Sequence, residues 1–352
     1  MYGFEEYLHF MTSSLVTLFT AFILTCLMAP SFIRKLHRMK FGQEVRDDGP
    51  QAHLKKQGTP TMGGIIFLIA IVISVALSFV LNGVNEKALL VLFLTAGFGL
   101  VGFLDDYLKI RKHQSEGLNP KQKLLLQIII TLIFALWVYG HDAAADRVFL
   151  PFVQMGQTAA GAEGLPGDAA GVGNLAFIRL PLPLFLVFVL FVVLGTDNGV
   201  NFTDGLDGLC SSVTCVVAGF FAIVGILSGS GISLVAAAVI GALFGFLLFN
   251  VYPAKVFMGD TGSLALGGFV AGAAVVSGLE LFIPIVGFIY LIEVVSVIIQ
   301  VTYFKRTHGK RFFKMAPIHH HFELLGNSET RIVAAFTIVT ILLSLIALAG
   351  WL

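Results

Sequence analysis

The chain has 352 residues, 57 % of them hydrophobic and only 12 % charged, with 22 Lys and Arg almost balanced by 21 Asp and Glu. Soluble domains carry roughly a quarter charged residues, so a soluble globule, which would still need a polar cover, is excluded. The near-zero net charge also speaks against a nucleic-acid partner, and the mean hydropathy of +0.91 is that of an integral membrane protein.

A membrane-crossing helix needs about 20 mainly apolar residues. The first apolar run, Tyr7 to Ile33, holds no Asp, Glu, Lys or Arg and follows Glu5-Glu6, where a cleavable leader would be basic. It reads as a retained span over 11–33. Further spans are expected at 62–81, 88–104, 123–140 and 180–196. The stretch 208–254 carries no charge but is too long for one crossing. Its Ser228-Gly229-Ser230-Gly231 cluster predicts a turn, which divides it into 207–228 and 232–250. Spans at 262–278, 281–303 and 332–352 complete the set. The expected fold class is all-α: a polytopic membrane protein of about ten transmembrane helices forming one domain, 1–352. Segment 141–179, rich in Gly and Ala, reads as a surface cap or flexible loop. Cys26, Cys210 and Cys215 lie in apolar stretches without metal-ligand spacing and read as buried, inert thiols.

Ten alternating crossings place the connections 34–61, 105–122, 197–206, 251–261 and 304–331 on one side. Of the 22 basic residues, only Lys87, Arg147 and Arg179 fall on the other. The positive-inside rule makes the rich side cytoplasmic and leaves both termini outside the cytoplasm.

Acidic groups near membrane helix ends are costly and mark function. Asp105-Asp106 follows the third apolar run. Asp197, Asp204 and Asp207 lie in a Gly-rich segment after the fifth, Asp260 precedes the eighth, and His319-His320-His321 sits in the last internal connection. Taken singly, these are a solvated helix end, turn-forming Asx residues and a helix cap. Together they bring carboxylates and imidazoles from four segments to one membrane face. Such a gathering suits Mg²⁺, which takes one or two carboxylates and shares its remaining positions with water and substrate phosphates. A further carboxylate could position an attacking group, and Lys55, Lys56, Lys121, Lys123, Lys255, Lys305 and Arg306 are on the same face to bind phosphate oxygens. Zinc is disfavoured, because three adjacent histidines fan apart on a helix and alternate on a strand. Gly58-Thr59-Pro60-Thr61-Met62-Gly63-Gly64 lacks P-loop spacing, but it can expose amides at a helix start where anions bind; it is equally a good helix N-terminus. Glu293, mid-span, requires a partner inside the bundle or a proton.

These segments together resemble the phospho-N-acetylmuramoyl-pentapeptide transferase family, within the polyprenyl-phosphate N-acetylhexosamine-1-phosphate transferases. The matching stretches are Phe41-Gly42-Gln43, Arg46–Pro50, Gly58–Gly64, Gly102–Asp106, Asn201–Gly208, Asn250–Ser263 and Met315–Glu323. The triple histidine followed by an aromatic residue and Glu is the most specific element; it separates this branch from relatives that transfer N-acetylglucosamine phosphate.

The resemblance implies a Mg²⁺-dependent enzyme of the bacterial inner membrane with its active site facing the cytoplasm. It would move phospho-MurNAc-pentapeptide from UDP-MurNAc-pentapeptide to undecaprenyl phosphate, giving lipid I and UMP. Carried over by position, Asp260 is the metal ligand, Asp105 and Asp106 are the catalytic pair, and Asp105 handles the lipid phosphate. Lys56, Asn201, Gly205, Leu206, Asp207, Asn250 and Phe257 surround the nucleotide, with Phe257 stacking on uracil. Thr61, Asp204, His319, His320 and His321 are further polar positions of the cleft. The implied partners are the sugar nucleotide, undecaprenyl phosphate and membrane lipid, with a homodimer left open. Asp197 departs from the family pattern, and either disturbs the phosphate network or points away into water. Two other functions compete: a relative using another sugar nucleotide, and a transporter with ion-binding carboxylates, which would want its polar groups near mid-bilayer.

Overall fold

The computed structural model describes residues 4–38, 58–112, 117–154 and 175–352. Lys55, Lys56 and the stretches 41–43 and 46–50 lie outside these residues. Among the described residues, ten helices are long and apolar enough to cross a membrane: α1 (Phe4–Arg38), α2 (Gly64–Asn82), α3 (Glu86–Lys112), α4 (Pro120–His141), α5 (Leu182–Thr203), α6 (Leu209–Leu227), α7 (Ile232–Asn250), α8 (Gly259–Ser277), α10 (Phe288–Arg306) and α12 (Glu329–Trp351). Two short helices, α9 (Ile283–Val286) and α11 (Ile318–Glu323), complete the all-α bundle.

Local chemistry sets several helix ends. Asn119 and Gln122 form a reciprocal capping box at the start of α4, with Pro120 in the first turn. Ser328 caps α12 by accepting from the Arg331 amide at 3.3 Å.

Four elements depart from the expected pattern, one of them α5, which runs past its expected end at 196 to Thr203. The third span runs two turns past its expected end, so Asp105 and Asp106 are helical residues facing the bundle rather than the start of a loop. The expected span 281–303 is broken: a 3₁₀ turn (Glu280–Phe282) and α9 precede Gly287, and only α10 crosses. Pro284 near the start of α9 and Gly287 at its end interrupt the regular ladder. Segment 141–179 contains an antiparallel ribbon, β1 (Arg147–Gln154) and β2 (Leu175–Arg179), pairing Arg147 with Arg179 and Phe149 with Phe177. The Phe149 amide donates to the Gly278 carbonyl at 2.9 Å, which ties the ribbon to the end of α8.

Helix α8 is the hub. It packs mainly on α3 and α5, and every residue from Thr261 to Val276 is buried. Lipid provides no hydrophobic drive between helices, so close approach depends on small side chains. At Gly64 an added Cβ would collide with the Gly262 backbone, at Gly102 with the Asp260 carbonyl, and at Gly268 it would press on the Leu94 carbonyl. These glycines let α2 and α3 reach the N-terminal end of α8 and put Asp105 and Asp106 against Asp260.

Candidate active site

Asp106, buried beneath the N-terminus of α8, accepts from the Asp260 amide at 3.2 Å, the Thr261 amide at 2.9 Å and the Thr261 hydroxyl at 2.7 Å. It satisfies donors that the helix start leaves open, and so fixes where Asp260 sits. Asp105, one residue earlier, is also buried and accepts from the Leu118 amide at 2.8 Å. Potential ligand oxygens of Asp105, Asp106 and Asp260 all lie within 4.8 Å of one another.

Two ammonium groups enter this acidic cluster. Lys109 Nζ is 2.6 Å from Asp105 Oδ2, 2.8 Å from Asp260 Oδ2 and 3.9 Å from Asp106 Oδ1. Lys123 Nζ, from the first turn of α4, is 3.1 Å from Asp260 Oδ2. On the other side of Asp260, Asn201 donates to Oδ1 at 3.0 Å and to the Ser263 hydroxyl at 2.8 Å. Helices α3, α4, α5 and α8 thus each supply a group. The donors are hard oxygens, the chemistry Mg²⁺ prefers, and the Lys109 ammonium among three carboxylates demonstrates that positive charge is accommodated there. Lys109 was not among the expected residues. Its signal is the spacing Asp105, Asp106, Lys109, which puts all three on one helical face but only if α3 continues beyond residue 104.

The Gly58–Gly64 segment is held by backbone pairing. The Phe257 amide donates to the Pro60 carbonyl at 2.8 Å, Gly63 to the Phe257 carbonyl at 2.8 Å and Gly64 to the Met258 carbonyl at 2.9 Å. The amides of Gly63 and Gly64 are therefore engaged, and an anion cradle built on them is excluded. Thr61 lies beside Gly259, where an added Cβ would meet both its hydroxyl and Asp106 Oδ2; the φ of +68° there suits glycine. Phe257 is half-buried on the same segment.

Asp207 and Asn250 bind backbone. Asp207 Oδ2 accepts from the Ala254 amide at 2.9 Å. Asn250 accepts from the Ser211 hydroxyl at 3.0 Å and donates to the Val256 carbonyl at 3.0 Å. Together they anchor the loop leading to Phe257 and Asp260. Asp204, at the C-cap of α5, is half-buried, and Leu206 is buried. Gly205 packs against His319, whose Nε2 a Cβ at that position would strike.

The three histidines have separate surroundings. His319 is buried, with Nδ1 3.1 Å from Glu293 Oε2. His320 pairs with Glu323 at 2.7 Å. His321 Nδ1 accepts from the Lys314 amide at 3.2 Å, and its ring packs edge-on to Phe313. A helix fans adjacent side chains apart, and α11 gives each imidazole a different polar partner, although the His319 and His320 rings stay close, with centroids 4.1 Å apart. Asp197 does not point into water. Helix α5 continues past it to Thr203, and the carboxylate is wholly buried, taking a short hydrogen bond from Gln127 and lying against Gly267.

Residues 88–278 match the model of Glycosyl transferase family 4, and residues 56–68 match the phospho-N-acetylmuramoyl-pentapeptide-transferase signature 1. The chain is 44 % identical over 334 residues to the phospho-N-acetylmuramoyl-pentapeptide-transferase of Clostridioides difficile (strain 630), covering 94 % of this chain and 96 % of that one. It is 46 % identical over 313 residues to that of Carboxydothermus hydrogenoformans, covering 89 % and 90 %. The matched family model spans more than half of the sequence and the relatives nearly all of it, so this chain belongs to glycosyl transferase family 4, in its phospho-N-acetylmuramoyl-pentapeptide-transferase branch.

Proposed function

We propose that this chain transfers phospho-MurNAc-pentapeptide from UDP-MurNAc-pentapeptide to undecaprenyl phosphate, giving lipid I and UMP, at a Mg²⁺ site centred on Asp260. The observation that carries the reading is the convergence of Asp105, Asp106 and Asp260 around Lys109 at one end of the helix bundle. Family membership supports the reaction, and the donor chemistry supports the metal. Bound there, Mg²⁺ would neutralise charge on the transferred phosphate.

The residues of the chain supply positioning and charge. An oxygen of the lipid phosphate attacks the sugar-bearing phosphorus of the donor, and the bond to the uridine-bearing phosphate breaks to release UMP. Asp105 orients the lipid phosphate, which is already an anion near neutral pH and needs placing more than deprotonation. Asp106 keeps Asp260 in place through the start of α8. Lys109 and Lys123 offset carboxylate charge and can turn to phosphate oxygens as the substrates bind. Lys56, Asn201, Gly205, Leu206, Asp207, Asn250 and Phe257 form the nucleotide end, with Phe257 offering its ring to uracil. Thr61, Asp204, His319, His320 and His321 are the remaining polar groups of the cleft. The charged donor stays in water while the prenyl tail stays in lipid, because each buried CH₂ contributes about 0.8 kcal/mol. The two meet at the cytoplasmic face of the bacterial inner membrane, with both chain termini on the opposite side.

The test is UMP release by the purified protein with UDP-MurNAc-pentapeptide or UDP-N-acetylglucosamine, with and without Mg²⁺. Release is expected only with the muramoyl donor and only with the metal. Asp260→Asn, which keeps the volume but removes a charged ligand, should lower turnover about a hundredfold or more. Near-parental turnover of that variant at limiting Mg²⁺ would reject Asp260 as the metal ligand.

A further inference from the structure

Glu293 is a wholly buried acid in the second turn of α10. A carboxylate at this depth is costly and is expected to have a specific partner. Its Oε2 lies 3.1 Å from His319 Nδ1, and His319 is only 1 % exposed. The pair is not aligned as a hydrogen bond, and among the described residues neither Glu293 oxygen has a hydrogen-bond donor from elsewhere. Polar contacts of this kind are often loosely aligned without substrate and tighten when it binds.

The opposite edge of the same imidazole faces a second element. His319 Nε2 lies so close to Gly205 that no side chain would fit there. Gly205 belongs to the loop between α5 and α6. Asn201, which holds Asp260 at 3.0 Å, lies just before it. Asp207, which holds the Ala254 amide at 2.9 Å, lies just after. His319 is thus wedged between a buried carboxylate and the loop that connects two parts of the cleft.

We propose that Glu293 is a positioning residue for the transfer reaction. Its carboxylate engages Nδ1 of His319, which keeps the hydrogen on that nitrogen and holds the Nε2 edge against Gly205, fixing the Asn201–Asp207 segment under the nucleotide. A carboxylate at one ring nitrogen determines which nitrogen is protonated and how the ring is oriented. The proposal rests on the reading above that this segment meets the sugar nucleotide.

The experiment uses the full-length protein in nanodiscs, with ¹⁵N-labelled histidine. The His319 resonances are assigned by their loss in His319→Gln. In Glu293→Leu, the His319 Nδ1 signal is expected to shift, and KM for the sugar nucleotide to rise about tenfold while kcat changes less than threefold. Glu293→Gln keeps the volume and an acceptor for Nδ1–H, so it should recover most of the KM and serves if the Leu variant does not fold. A merely structural role would lower the thermal midpoint and the active fraction but leave KM and the histidine signal unchanged. An unmoved His319 signal in Glu293→Leu overturns the pairing. A moved signal with parental KM in that variant, while His319→Gln still raises KM, overturns the positioning role. A parental KM in His319→Gln itself overturns the underlying reading of the site.

Discussion

Lys109 shows how one residue sets the electrostatics of a site. Three carboxylates crowded within a few ångströms repel one another strongly at low effective dielectric, and the Lys109 ammonium lies within 4 Å of all three. Lys109→Met should leave that repulsion opposed chiefly by Lys123. The variant is expected to unfold several degrees below the parent without divalent cation. Added Mg²⁺ should raise its midpoint more than the parent's, because a ligand that binds only the folded state stabilises it more the tighter it binds. Thermal scans with EDTA and with Mg²⁺ compare the two proteins; equal Mg²⁺-induced shifts would argue against a metal site among these aspartates. The spacing of Lys109 from Asp105 and Asp106 is its signal, readable only once α3 is known to continue past residue 104. The partner of Glu293 has no such signal, because His319 lies on another element whose approach depends on how α11 folds back.

Among the elements, α8 depends on glycine at its crossings. An added Cβ at Gly102 would overlap the Asp260 carbonyl, whereas Gly219 on α6 has nothing within 4 Å. Gly102→Ala should therefore destabilise by about 1–3 kcal/mol through overpacking and lower turnover by displacing Asp260. Gly219→Ala should be neutral or slightly stabilising, because alanine favours the helix by up to about 1 kcal/mol. Thermal midpoints and UMP release of the two variants, measured side by side, test this contrast.

The 3₁₀ turn that breaks the expected ninth span carries a second element-scale consequence. Glu280 is 2 % exposed and, among the described residues, has no hydrogen-bond partner at either carboxylate oxygen; burial pushes its carboxyl up to about 8. An unfolded Glu titrates near 4.3, so between these values the folded state holds a proton that the unfolded state has lost. The associated stability is fully present below the unfolded value and is lost progressively as pH rises toward about 8. Glu280→Gln should remove this pH dependence, giving a midpoint closest to the parent's at pH 5 and above it at pH 8. The same difference at both values would show that Glu280 does not titrate in this window.

For the whole molecule, the decisive quantity is orientation. By the expected alternation of crossings, all basic residues except Lys87, Arg147 and Arg179 belong to the side that carries Asp105, Asp106 and Asp260. In a background lacking Cys26, Cys210 and Cys215, Leu325→Cys should react with an impermeant thiol reagent only after the cytoplasmic side is opened. Val84→Cys, in the connection between α2 and α3, should react in intact cells. Both residues are more than half exposed. Reversed labelling would overturn the orientation and move the shared polar face to the other side of the membrane.

The number of spans, the polar segments and the kinds of ligand they offer were legible because each is a local property. An apolar run of sufficient length must become a helix in lipid, where no water is present to satisfy its backbone, and turn residues or charges mark its ends. The extension of α3 was not legible, because Asp105, Asp106 and Lys109 look like a solvated end until α8 and α4 supply their partners. The β1–β2 ribbon was missed because its strands are short and are joined by a Gly- and Ala-rich stretch. Tertiary structure alone decided that Asp106 would hold the start of α8, that Asp197 would meet Gln127, and that His319 would meet Glu293. Those outcomes depend on glycine-mediated contacts and buried polar pairs between residues as many as 198 positions apart. Such contacts form only when several helices pack at once, and no window of the chain contains them.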